Sequence, residues 1–98
     1  MFYDFNNYYS VLYNIHKLFI KKNFSSIIGS KNSCDSFQQK ICYYKNDNIS
    51  YAYYISIINS TSYKSIQLKI PLKYSNYYFK MYFDDIYELN TYLKKYIL

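Results

Sequence analysis

The stretch SIQLKIPLKYSNYYFKMYF, residues 65–83, decides the fold class. Ile66, Leu68, Ile70, Leu72 and Tyr74 alternate with Ser65, Gln67, Lys69, Pro71 and Lys73. After Ser75-Asn76, Tyr77, Phe79, Met81 and Phe83 interleave with Tyr78, Lys80 and Tyr82. Successive side chains of a strand point to opposite faces, so each run reads as a strand with one apolar and one polar face. Two such runs joined by a short polar break read as an antiparallel hairpin. A two-residue turn at Ser75-Asn76 sets Tyr74 against Tyr77, Leu72 against Phe79, Ile70 against Met81 and Leu68 against Phe83. The other face then pairs Lys73 with Tyr78, Pro71 with Lys80 and Lys69 with Tyr82.

Upstream, residues 49–58 repeat the pattern, with Ile49, Tyr51, Tyr53, Ile55 and Ile57 on one face. Laid antiparallel to 65–74, this run sets Ile57 against Ile66, Ile55 against Leu68 and Tyr53 against Ile70. A slip of one residue would turn every side chain to the wrong face, so the agreement of the apolar sets specifies this register. A shorter run, 39–45, holds Ile41 and Tyr43. Pro71 has no N–H to give a ladder, which calls for a bulge, a break or an edge position there. Residues 23–38 gather Ser, Asn, Asp and the single glycine, Gly29, around the pair Ile27-Ile28. They read as a loop holding at most a short strand or a turn of helix.

Helices flank the sheet. Over residues 4–22, Phe5, Tyr8, Leu12, Ile15 and Phe19 fall at spacings of three and four, one amphipathic stripe. Asp4 suits the N-cap, Tyr3 and Tyr8 suit a hydrophobic staple, and Lys21 and Lys22 suit the C-terminal end of the dipole. Over 85–97, Asp85 and Glu88 have capping-box spacing, and Ile86, Leu89, Leu93, Tyr96 and Ile97 form the stripe. The expected fold is a two-layer α+β domain spanning residues 1–98. It is a four-stranded antiparallel meander with an N-terminal and a C-terminal helix on one face, in the order α-β-β-β-β-α.

Composition bounds the function. Lys, Asn, Ile, Tyr and Phe account for 59 of 98 residues, while Gly, Ala, Arg and Pro account for three. These are the residues of AT-rich and GC-rich codons respectively, so the coding DNA is strongly AT-biased, as in some phages, viruses and mobile elements. The formal charge of +6 rests on lysine alone. It points to an acidic or nucleic-acid partner, but lysine is itself an AT-rich codon product, so placement carries more information than count. No apolar run reaches the ~18–20 residues of a membrane span, and the N-terminus lacks a secretory pattern. Cys34 and Cys42 therefore read as reduced thiols of a cytoplasmic protein, in the host cytoplasm if the gene is viral.

Catalytic equipment is sparse. His16 could serve as a base for a Cys34 nucleophile only if the fold brought them together; otherwise it is a helix-surface histidine. Asp84 and Asp85 are explained by a helix start without metal or acid–base chemistry. Neither a metal-ligand spacing nor a phosphate loop is present, so no cofactor, no metal and no enzymatic activity is expected.

The polar sheet face is the most informative surface. It carries Tyr44, Tyr54, Tyr78 and Tyr82 among Lys40, Lys69, Lys73 and Lys80. Tyrosine brings large contact area at low entropy cost, and lysine steers an acidic partner. These residues are the expected contact surface of a small non-enzymatic binder encoded by a phage, virus or mobile element. Such a protein inhibits or masks a host protein or ribonucleoprotein, as anti-CRISPR and immunity proteins do. The alternative is a single-stranded nucleic-acid platform, with rings on bases and ammonium groups on phosphates of RNA or DNA. A third reading is homodimerisation through the sheet edge or face, which would bury some of the tyrosines.

Overall fold

The computed structural model describes residues 5–33, 35–48, 51–60, 63–72 and 77–98, leaving aside the side chains of residues 5–9 and Asn32. Helix α1 (Phe5–Lys21) leads into five strands, β1 (Ser25–Ser33), β2 (Ser36–Tyr44), β3 (Tyr53–Ser60), β4 (Lys64–Pro71) and β5 (Tyr78–Phe83). Helix α2 (Ile86–Tyr92) follows and passes into a π-helical turn, Leu93–Ile97. The strands form one antiparallel meander in the spatial order of their sequence. The α+β class, the meander and the terminal helices agree with expectation.

The strand count does not: the sheet has five strands, and the stretch read as a loop supplies β1 and the beginning of β2. Strand β1 lies at the sheet edge and has no buried face to pattern its sequence. Ile27 and Ile28 point to opposite faces and both stay exposed, so no apolar alternation develops. What holds β1 is its ladder to β2, which runs the full length from Ser25↔Tyr44 to Ser33↔Ser36.

The register between β3 and β4 is the expected one, with Ile57 against Ile66 and Ile55 against Leu68. Between β4 and β5 it is shifted by two residues: Ile70 faces Phe79, Leu68 faces Met81 and Ile66 faces Phe83. The Tyr74–Tyr77 turn pair itself lies outside the described residues, but the Leu72 N–H reaches the Tyr77 carbonyl at 3.3 Å, continuing the shifted register. Two-residue hairpin turns favour glycine or asparagine at positive φ in both central positions, and Ser75-Asn76 meets that requirement poorly. A shift of two preserves the faces. It carries Leu72 and Phe79 past the cover of the helices, however, so both are exposed rather than core. Pro71 closes β4 opposite Tyr78, beyond the last described β3 pair, Tyr54↔Lys69. Strand β4 is interior and Pro71 is buried, so its missing N–H falls not on an edge but where the β3–β4 ladder has already ended.

One face of the sheet is buried under the helices. Val11, Leu12, Ile15 and Phe19 of α1 pack with Phe37, Ile41 and Tyr43 of β2, Ile55 and Ile57 of β3, and Ile66 and Leu68 of β4. Ile86, Leu89 and Leu93 complete the core. The Phe19 and Tyr43 rings stack 3.9 Å apart and 2° from parallel, and the Tyr43 hydroxyl is hydrogen-bonded to His16 Nδ1 at 3.1 Å. A Schellman motif ends α1. Asn23 sits at φ 69°, its N–H bonds the Ile20 carbonyl, and the Phe24 N–H bonds the Phe19 carbonyl. The accompanying apolar contact is the edge-on Phe19–Phe24 pair, 5.1 Å between centroids.

Asp85 caps α2, its Oδ1 accepting the Glu88 N–H at 2.8 Å. Glu88 reaches back to the Asp84 N–H at 3.1 Å, one residue earlier than a strict capping box. Tyr96, expected in the apolar stripe, is exposed. The π-helical turn, closed by Leu98 N–H on the Leu93 carbonyl at 2.7 Å, changes the periodicity and rotates Tyr96 outward while Ile97 and Leu98 reach the core. Asp4 and Tyr3 lie outside the described residues, as does the side chain of Tyr8, and with them the N-terminal cap and staple. No helix among the described residues is long and apolar enough to cross a membrane.

Candidate functional site

Cross-strand pairing defines the face turned away from the helices. One row runs Ile27, Cys42, Tyr54, Lys69, Lys80 across all five strands. The next runs Gly29, Lys40, Ser56, Gln67, Tyr82. Tyr78 lies opposite Pro71, and Tyr44 opposite Ser25. Tyr44, Tyr54, Lys69, Tyr78, Lys80 and Tyr82 therefore share one surface with Lys40. Lys73 lies outside the described residues.

No aspartate or glutamate occurs in any of the five strands. Lys69 and Lys80 stand directly opposite each other, with Lys40 one row away. Directly opposed like charges repel, so this surface holds positive charge that a partner's negative charge would relieve.

The tyrosines divide into two kinds. Tyr82 is 68% exposed, and its hydroxyl accepts a hydrogen bond from Gln67 Nε2 at 2.9 Å. The ring is thus oriented from below while its face stays open. Tyr54 and Tyr78 are half-buried and meet edge to face, 5.5 Å between centroids. Burial pushes the Tyr54 hydroxyl pKa up to about 12, reinforced by the neighbouring Cys42 with its hydrogen bond and by Tyr78. Tyr54 therefore serves as a neutral, positioned wall rather than a free ring. Burial also raises the Cys42 thiol, offset in part by the Tyr54 hydrogen bond, which keeps it from being a ready thiolate.

Between these rows lies a shallow depression of about 390 Å³, lined by Gly29, Lys40, Cys42, Tyr54, Ser56, Gln67 and Lys69 with apolar flanks from Ile27, Ile41 and Ile55. Small residues at Gly29, Cys42 and Ser56 make it concave. Gln67, Ser56, Cys42 and Gly29 are not among the contact residues expected from the sequence; their strand parity with Lys69 and Tyr54 is the signal that identifies them.

The other candidates have structural partners. His16 binds Tyr43 on the helix side, whereas Cys42 faces the opposite side of the sheet. Cys34, the partner considered for His16, lies outside the described residues. Asp84 and Asp85 belong to the start of α2. Among the described residues, no three His, Cys, Asp or Glu side chains gather where they could hold a metal ion. No protein family, curated protein or solved structure matches this chain.

Proposed function

We propose that the protein is a non-enzymatic binder that works by laying its open sheet face against an acidic surface of a larger partner. The observation that carries this reading is the acid-free face itself, with Lys69 opposite Lys80 and an exposed, hydrogen-bonded Tyr82 in the adjacent row. An aromatic anchor that needs little ordering, next to unrelieved positive charge, is what a recognition surface requires. The AT-biased composition supports an origin in a phage, virus or mobile element. The partner class is then a host protein or ribonucleoprotein that the domain inhibits or masks, in the host cytoplasm.

Single-stranded RNA or DNA is the second reading. The interleaving of Tyr82 with Lys40, Lys69 and Lys80 favours it, since it offers a ring for a base between cations for phosphates. Capture from native host extract, with and without nuclease, separates the two. A nuclease-resistant partner that Tyr82→Ala fails to retain supports the protein reading. Retention of naked single strands, with a salt slope that falls by about one for each lysine removed, supports the second.

A further inference from the structure

Strand β1 forms one edge of the sheet, and among the described residues only β2 pairs with it. An unpaired edge is a template for another strand, and sheets ordinarily blunt it with proline, a bulge or charge. Strand β1 has neither proline nor a break in its nine-pair ladder, and it carries one charge, Lys31. It also exposes two isoleucines on opposite faces: Ile27 at 52% and Ile28 at 49%.

We infer that β1 is a self-pairing edge, joining two copies of the chain into a continuous ten-stranded sheet about a two-fold axis at Ile28. In an antiparallel pairing centred there, Ile28 meets the second copy's Ile28 on the helix side. On the open side, Ile27 falls opposite the second copy's Gly29. A Cβ at Gly29 would meet nothing within 4 Å, so the space above it is free to receive that isoleucine. Sheets stabilise an edge glycine by covering it with a cross-strand aromatic ring, and Ile27 supplies apolar cover of the same kind here. Each copy thus supplies both the knob and the hole, the isologous arrangement that two-fold symmetry demands.

Charge permits this pairing. Lys31, the strand's one charge, falls opposite the second copy's Ser25, so no like charges face each other across the axis. The other edge, β5, has no glycine to receive a neighbour's side chain. Pairings centred on Ile27 or Gly29 are poorer, the first overlapping only residues 25–29 and the second setting Ile27 against Lys31. The strand-only contact is smaller than the ~800 Å² per partner of a standard interface, so the dimer is a concentration-dependent one.

The test uses the full chain with Cys34→Ser and Cys42→Ser, adding Ile28→Cys in one variant and Ser30→Cys in another. The axis at Ile28 puts the two thiols introduced by Ile28→Cys within disulfide reach of each other. Residue 30 instead pairs with residue 26 of the second copy, so the thiols introduced by Ser30→Cys lie far apart. Rapid oxidative dimerisation of the first variant, at least tenfold faster than of the second, is the expected result. Sedimentation equilibrium of the unsubstituted chain provides the second readout. It should show a monomer–dimer equilibrium that Ile28→Lys weakens at least tenfold while circular dichroism stays unchanged. A strict monomer up to millimolar concentration overturns the inference. So does a dimer indifferent to Ile28→Lys, equal crosslinking at both positions, or a β1 edge whose amides are protected only by another protein.

Discussion

Lys69 of β4 and Lys80 of β5 are direct cross-strand neighbours on the open face of the sheet. Opposed like charges destabilise a sheet, by no more than the roughly 0.2–1 kcal/mol that a favourable cross-strand pair contributes, and salt screens the repulsion. Lys80→Gln should therefore raise stability by that order in urea unfolding at low salt, with the gain shrinking at high salt. The same substitution should weaken partner binding. A variant with unchanged stability at low salt would mean that the two ammonium groups avoid each other by bending into solvent.

Core substitutions should grade with position along β4 and β5. Leu68 is fully buried, so Leu68→Ala should cost about 2–5 kcal/mol. Ile70 is only partly buried against the core, so Ile70→Ala should cost less. Phe79 is 54% exposed, and Phe79→Ala should fall within about 0.5 kcal/mol of neutral, as surface changes do. Chemical unfolding of the three variants checks the order; a Phe79 loss equal to that of Leu68 would refute the two-residue register shift.

The Phe19–Tyr43–His16 arrangement joins α1 to the sheet. Tyr43→Phe keeps the stacking and removes the hydroxyl, so it should cost about 0.5–1.5 kcal/mol, the net worth of a hydrogen bond. Phe19→Ala should cost about 3–5 kcal/mol, as large aromatic deletions do. Thermal or chemical unfolding of the two variants measures the difference. Equal losses would show that the ring stack contributes little beyond the hydrogen bond.

Alkaline pH should weaken the fold. Burial raises the hydroxyls of Tyr43, Tyr53 and Tyr54 and the thiol of Cys42 above their ordinary values, and Tyr54 to about 12. The unfolded chain then loses these protons at lower pH than the folded one. Stability is complete below the unfolded values and declines as pH rises from about 9–10 toward 12. Tyr54→Phe should flatten the part of the decline near pH ~10–12. Thermal melts from neutral to alkaline pH that show no decline would contradict the assignment.

Much of this architecture is legible in the residues, and its gaps have physical causes. Period-two alternation places β3, β4 and β5 and decides which residues share the basic face, because parity survives a register shift of two. It leaves the β4–β5 offset open, since that depends on turn geometry that Ser75-Asn76 specifies weakly. Ile27 and Ile28 hide β1, since an edge strand exposed on both faces has no buried side to pattern. Tyr54 and Tyr78 look like free anchors on a flat face; in the fold their rings pack on each other, leaving Tyr82 as the open ring. The π-helical turn that sends Tyr96 outward has no signature in apolar spacing.

Binding of an acidic partner by the open sheet face is tested most directly by comparing the partner affinities of two double variants, Lys69→Glu/Lys80→Glu and Lys17→Glu/Lys94→Glu. Both make the same net charge change, the first on the open face and the second on the exposed helix surfaces. Loss of binding by at least tenfold in the first, with little change in the second, is the predicted result. Equal losses in both would mean that net charge alone governs binding, and unchanged affinity in the first would remove the open face from the contact.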